Sequence, residues 1–504
     1  MIVNRSHFAT QSSMNALTRM STQMAKLQTQ MTTGEKYASL AEMGNTRFGA
    51  LSLNSRLDKI SAYQGNIDIV STRLSFLDKA MTRLDTIQSD ARKSVTVGGY
   101  GTNNINLQTA PTQALAQLDE VLTLLNTQAD GRYVMGGNVT DTPPVEGTNA
   151  ILDGANGRAG FRTLVTERKA ADAGADGQGR LVTSMPAVDT VQLAEDGVHP
   201  FGFKISTLSG DSGPVNFTFP TGADPETLAV QFTGVPVSGH RINLSMTMPD
   251  GTNETIVMTA VSGPTTKPGE YQVGADAATT AASFEAALKS TLVYEGQTRL
   301  AAASSYATAD NFFFGSGGSV MRVPSPAATA TTLVPATATD TISWYRGESN
   351  TNPARQSVSA RIDDSTSVNY GVRANESGLV GLVRSLAVMS VETYPTSPAT
   401  ADASRGRFDA VAARQASRLS ESNSVNAGSI EVITVELGVA TATLGNVKQR
   451  QTTYSAQLEN MLADITQAPI EQIAMELLTL KTRLEASYTT TSSISQLSLV
   501  NYMK

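Results

Sequence analysis

The chain runs to 504 residues, more than one ordinary domain holds, with 40% apolar residues, enough for a sizeable core, and 16% charged residues against a usual value of about 25%. A net charge of −7 with no polybasic tract gives no footing to nucleic acid or anionic lipid. The absence of cysteine removes disulfides, thiolate metal sites and cysteine nucleophiles together.

The opening MIVNRSHFAT lacks the apolar core of a secretory signal peptide, so export, if it occurs, is expected without signal cleavage. No run of about 18 apolar residues stands out, and no membrane insertion is expected. Leu17, Met20, Met24, Leu27 and Met31 then fall at steps of three and four, a coiled-coil seam that Gly34 closes. A second seam runs through Leu53, Leu57 and Ile60 and resumes at Ile67, Val70, Leu74, Leu77, Met81 and Leu84. A helix over 47–94 would be roughly 70 Å long and needs partner helices along its length. The glycines and asparagines of VGGYGTNN (97–104) predict a loop, and a third helix is predicted from Pro111 to Gln128 with Leu115, Leu118, Leu122 and Leu125 on one face.

Between 141 and 400 Gly, Pro, Thr and Asp become frequent and short alternating runs appear: FGFKISTL (201–208), VNFTFP (215–220), and two runs joined by PDG in RINLSMTMPDGTNETIVMTAV (241–261), a hairpin signal. Helices are predicted near 280–308 and 376–392, with a further alternating run, SVSARIDDSTSVNYGV, at 357–372. Coiled-coil spacing then returns. Ile433, Leu437, Ala440, Leu444, Val447, Gln451, Tyr454, Leu458, Met461 and Ile465 alternate four and three without a slip; after Pro469 come Ile470, Ile473, Leu477, Leu480 and Leu484, with Ile494 further on.

Half-seams are not stable alone, so the two ends must meet. The expected fold is α+β: a discontinuous antiparallel coiled-coil bundle from both chain ends, carrying a large β-rich inserted outer region. Three domains are expected: a terminal coil (1–46 and 466–504), a helical bundle (47–140 and 400–465), and a solvent-facing insert (141–399) of one or two subdomains. Apolar stripes reaching both termini call for a neighbouring copy as partner, and a heterologous, non-closing contact builds a helical tube. The residues expected at that interface are Leu17, Met20, Met24, Leu27, Met31, Ile470, Ile473, Leu477, Leu480, Leu484, Ile494, Leu497 and Leu499.

The sequence offers little chemistry. His7, His199 and His240 are scattered, with no zinc spacing. Asp363–Asp364 and Glu195–Asp196 are adjacent residues that face opposite sides of an extended chain, so neither is a convergent dyad. DGTNET (250–255) lacks the spacing of a calcium loop. GGYG and GSGG lack the lysine of a phosphate loop. No catalytic, cofactor-binding or metal-binding residues are expected, and the chain is not read as an enzyme.

The segment MTTGEKYASLAEMGNTRFGALSLNSRL (31–57) resembles the flagellin-family pattern in which a coil ends at a Thr-Gly-Lys-like turn, through Thr33, Gly34 and Lys36; the double-Asp and Ala-Gly continuation of that pattern is missing. DGRYVMGGNVTDTPP (130–144) resembles the Gly-x-Tyr-Leu-Phe-x-Gly…Thr-Asp-Thr-Pro-Pro stretch of the type 3 hook-associated family of hook–filament junction proteins, through Gly131, Tyr133, Gly136, Thr140, Asp141, Thr142, Pro143 and Pro144. LEASYTTTSSISQLSLVNYMK (484–504) is similar to the C-terminus of that family, through Leu484, Ala486, Ser487, Tyr488, Ser495, Leu497, Ser498, Leu499, Asn501 and Tyr502. The resemblance covers both helical ends and implies terminal helices lining an inner tube of the flagellum and a solvent-facing insert. It implies an extracellular location, export without signal cleavage assisted by a chaperone, and self-assembly next to flagellin and other hook-associated proteins. The size of the insert is more typical of a filament flagellin. A β insert that recognises a carbohydrate or a surface is a further reading.

Overall fold

The computed structural model describes the backbone of residues 4–220, 222, 224–314 and 320–502, and the side chains over the same ranges except 4–10 and 494–502. The fold is α+β, with long helices at both ends of the chain and the sheets between them. The chain divides into two compact units: a first of residues 1–71, 360–368 and 442–504, and a second of residues 72–359 and 369–441.

In the first unit, helix α1 (Asn4–Thr33) lies antiparallel to the last helix of the chain, Ile470–Tyr502, along Met20, Met24, Leu27, Ile473, Leu477 and Leu480. Gly34 ends α1 at φ +72°, its N–H donating to the Gln30 carbonyl at 2.9 Å, the left-handed cap that glycine adopts without steric cost. The chain beyond it pairs with the break before the last helix: Lys36 N donates to Thr466 O and Ala468 N to Gly34 O. Helix α2 (Arg47–Ser94) contributes Leu53, Leu57 and Ile60 to a second antiparallel seam with Leu458, Leu462 and Ile465.

In the second unit, α2 continues with Ile67–Leu84 spacing intact: Leu74, Leu77, Met81 and Leu84 are all buried. Helix α3 (Ile105–Leu125) starts earlier than its proline suggests. Pro111 sits inside it, because Leu107, Ala110 and Ala114 are buried beside Leu118, Leu122 and Leu125; packing of that stripe outweighs one lost backbone bond. Leu115 turns outward. Next come two short antiparallel ladders, Gln128–Ala129 (β1) with Arg132–Tyr133 (β2) and Gly154–Ala155 (β3) with Arg158–Ala159 (β4), around helix α4 (Thr148–Asp153), followed by helix α5 (Phe161–Ala173).

The two four-stranded sheets occupy 181–272. Strands β5 (Leu181–Ala187), β6 (Thr190–Glu195), β8 (Val215–Thr218) and β9 (Thr227–Phe232) form one sheet in the order β5-β6-β9-β8. Strands β7 (Lys204–Gly210), β10 (Arg241–Thr247), β11 (Asn253–Val261) and β12 (Glu270–Gln272) form the other in the order β12-β11-β10-β7. The PDG turn joins β10 to β11 in antiparallel register, Thr247 opposite Asn253. Helix α6 (Ala277–Glu295), opened by a capping box on Asp276, seals both inner faces with Phe284, Leu288 and Leu292. A π turn, Gly296–Leu300, leads into α7 (Ala301–Ala309), and α8 (Ser377–Val391), α9 (Ala401–Arg418) and the first turns of α10 (Ile430–Thr466) complete the unit. Helix α11 is Ile470–Tyr502. Helix α10 is apolar enough over 18 residues to cross a membrane by length and composition. Its Ile433, Leu437, Ala440, Leu444 and Val447 are buried in the protein, while Val435 and Val439 are exposed; a third of that apolar window is covered.

Candidate assembly interface

The surface of α1 and α11 is built from small hydroxyl residues. Arg5, Arg19 and Lys26 are the charged residues of α1, and α11 carries none after Glu485. The hydroxyls of Thr18, Thr22, Thr29, Thr32 and Thr33 donate to the carbonyl four residues back at 2.7–3.0 Å, as do those of Thr479, Thr482, Thr489, Thr490 and Ser493 in α11 at 2.8–2.9 Å. A hydroxyl bonded within its own helix has its donor satisfied, so these ten side chains can be covered without stranding it, a loss that costs about 1–3 kcal/mol per group.

The thirteen residues expected at an interface divide in the structure. Leu27, Ile473 and Leu480 are buried, and Leu17, Met20, Met24, Leu477 and Leu484 half-buried, between the two helices of one chain. Met31 and Ile470 are exposed. Gln30, not Met31, continues the covered face of α1. The side chains of Ile494, Leu497 and Leu499 lie outside the described residues. Met14, Met475, Leu478 and Tyr488, which the seam spacing passes over, are exposed on the outer faces. They could have been found as apolar residues out of phase with the seam.

The α10 seam does slip, contrary to the spacing. Tyr454 and Met461 are exposed while Ser455 and Leu462 turn inward on either side of buried Leu458. An α-helix drifts about 20° per heptad against a strict 3.5 repeat, so a helix that is not supercoiled enough changes the residues it offers. The slip follows Gln451, a buried seam position whose amide donates to the Ile362 carbonyl at 2.6 Å. Residues 360–368 thus form a tip lying on the α2–α10 pair, with Ile362 fully buried.

Asp363 and Asp364 diverge there, as adjacent residues must. Asp363 accepts from Arg450 at 2.7 Å; Asp364 takes Lys59 and the Tyr63 hydroxyl, the latter at 2.9 Å. Hydrogen bonds from Lys59 and then Tyr63 hold the Asp364 carboxyl below the usual range, and Asp364 in turn raises Lys59. The cleft beside this tip, about 860 Å³, is lined by Arg56, Lys59, Tyr63, Arg450 and Tyr454.

In the second unit the segment 130–144 is a backbone crossing. Gly137 N donates to Val372 O, Ala374 N to Met135 O, Glu348 N to Gly136 O, and Arg346 N to Pro144 O, while the Glu348 carboxylate accepts from Asn138 N. Gly137, at φ +65°, leaves no room for a Cβ, which would meet the Glu348 carboxylate at 2.4 Å. The PDG turn is also tied down: Asp250, fully buried, accepts from Arg414 of α9 at 2.8 Å, and Glu254 sits 3.6 Å from the same guanidinium. Protein cations therefore occupy the acidic residues of DGTNET. Burial raises the carboxyls of Asp172, Glu295 and Glu376 despite their arginine neighbours.

His199, His240 and the Glu195–Asp196 pair have structural partners. His199 bonds Asp196 at 2.5 Å and accepts from Phe201 N; His240 contacts Asp211 O; both are buried, and His7 lies outside the described side chains. Glu195 and Asp196 point apart, to Lys204 and Arg180. Among the described residues no three His, Cys, Asp or Glu side chains gather as a metal site.

No relative among curated proteins matches the chain. Residues 5–140, which take in α1, α2, α3 and the start of the 130–144 crossing, match the family described as the bacterial flagellin N-terminal helical region. That match, on a chain whose two ends fold into one antiparallel helical pair, supports the flagellin family and a structural subunit of the bacterial flagellum.

Proposed function

We propose that the chain is a hook–filament junction subunit that polymerises through its terminal helices and joins hook to filament. The observation that carries the polymerising role is the α1–α11 surface, low in charge, with its hydroxyls internally bonded and Met14, Met475 and Leu478 exposed. Supporting the junction role is the resemblance of residues 130–144 and 484–504 to the junction family. In this reading residues 1–46 and 466–504 line an inner tube, 47–140 and 400–465 surround it, and 141–399 face solvent. The exposed Met31 and Ile470 join the interface directly, and the buried seam residues shape it. Burial of apolar surface between copies, at about 25 cal/mol per Å², drives assembly. The subunit works outside the cell after chaperone-assisted export without a cleaved signal, next to flagellin and other hook-associated proteins.

The long region between the helical ends favours a second reading, a filament-forming flagellin. Immunogold labelling separates the two: a band at the end of the hook is expected, and decoration along the whole filament would replace the junction reading with the other. A deletion strain with hooks, no filaments and unpolymerised flagellin in the medium is the corresponding genetic result. Sedimentation of the purified full-length chain, alone and with sheared flagella, tests assembly itself.

A further inference from the structure

The seventeen methionines are distributed unevenly. In the second unit Met81, Met135, Met246, Met258 and Met389 are sealed from solvent. On the helices of the first unit Met14 and Met475 are each 65% exposed, Met461 55% and Met31 47%. Met14 and Met475 also share one local arrangement. In each case the residue four positions on is a threonine, Thr18 or Thr479, whose hydroxyl donates to the carbonyl of that methionine, at 2.9 and 2.8 Å.

We propose that Met14 and Met475 are two peroxide-sensitive modification sites whose oxidation switches off association of the terminal helices. The inference rests on the reading above, that sister copies cover this surface. The thioether sulfur attacks one oxygen of a peroxide; the S–O bond forms as the O–O bond breaks. Sulfur loses two electrons, and the second peroxide oxygen leaves as water, or as an alcohol from an organic peroxide. The product, a sulfoxide, is polar and a strong acceptor. Beside Met14 the Thr18 hydroxyl, and beside Met475 the Thr479 and Thr482 hydroxyls, are already given to backbone carbonyls. A copy closing over the sulfoxide must strip water from a strong acceptor that these hydroxyls are not free to meet, whereas a copy closing over a thioether desolvates no such group. Enzymatic reduction of methionine sulfoxide reverses the change.

The test uses purified full-length chain exposed to hydrogen peroxide, with oxidation mapped by peptide mass and assembly read by sedimentation. Met14 and Met475 are expected to gain oxygen before Met81 and Met258, and the critical concentration for assembly to rise about tenfold or more. A Met14→Leu/Met475→Leu chain, treated identically, is expected to stay within about twofold of its untreated value. Treatment with a methionine sulfoxide reductase should return the wild type to its original behaviour, and decides the matter if the leucine variant misfolds by circular dichroism. Unchanged assembly of wild type carrying both sulfoxides would overturn this inference alone. An untreated wild type that never assembles, alone or on sheared flagella, removes the assembly reading and the inference with it.

Discussion

At the scale of single residues, the glycines of the 130–144 segment show why that spacing exists. Gly131 and Gly137 both have positive φ, at +71° and +65°, but a Cβ on Gly131 meets nothing within 4 Å while one on Gly137 strikes the Glu348 carboxylate. Gly131→Ala is therefore expected to cost about 1 kcal/mol of backbone strain. Gly137→Ala adds the collision and should cost about 2–3 kcal/mol. Urea unfolding of the two variants checks this, and equal losses would contradict the steric argument. Asp364 supplies a pH test. Its folded-state pKa is depressed, so its hold on Lys59 and Tyr63 is complete above the ordinary carboxylate pKa and is lost as pH falls through the depressed value. The protection factors of amides in residues 360–368, taken relative to the intrinsic exchange rate at each pH, are expected to fall below about pH 4. In Asp364→Asn that fall should be muted; a wild-type tip whose protection factors ignore acid would exclude this role.

Among the elements, the terminal helices, to which the proposed assembly role falls, pack against each other along one narrow seam. Cutting the chain after Leu484 removes the last turns of α11, and with them Tyr488 and the internally bonded Thr489, Thr490 and Ser493. Assembly is expected to be lost while the second unit, whose core does not involve α11, keeps its thermal transition; a truncated chain that still sediments would refute the assembly role of this helix. The contrast between α3 and α10 is instructive here. Pro111 and the 3.5 repeat are both local signals, and both misplace something: the start of α3 and the inward positions 454 and 461. In each case burial along the whole helix overrides the single residue or the strict period.

For the second unit as a whole, the sheets are held to the helices through a buried charge. Asp250 at the β10–β11 turn has no exposure and depends on Arg414, itself 6% exposed, with Arg418 3.7 Å away. Removing Arg414 takes away the closest cation and leaves that carboxylate with Arg418 and the Thr252 bonds, so Arg414→Ala is expected to lose about 3 kcal/mol in urea unfolding. Arg414→Met combined with Asp250→Leu should lose much less, since no charge is then left unpaired. Additive losses would show that the pair is not coupled.

The sequence by itself determined the helical ends, their antiparallel pairing, the Gly34 stop, the PDG hairpin and the alternating strands, because periodicity, caps and turns are local consequences of side-chain spacing. It also marked Gly131 and Gly136 without revealing their reason, and it passed over Gly137, whose tight contact with Glu348 only the fold shows. Only the tertiary structure decided which apolar residues remain outside. Met14, Met475 and Leu478 carry the same side chains as the seam and differ from it by their angle around a helix whose partner must first be known. It likewise decided the partners of Asp250, Asp364 and Gln451. Those depend on contacts between residues far apart in the chain, and such pairings leave no trace in the spacing of either partner, whereas the strands β6 and β9 do show theirs, in the alternation of Val191 with Leu193 and of Leu228, Val230 and Phe232.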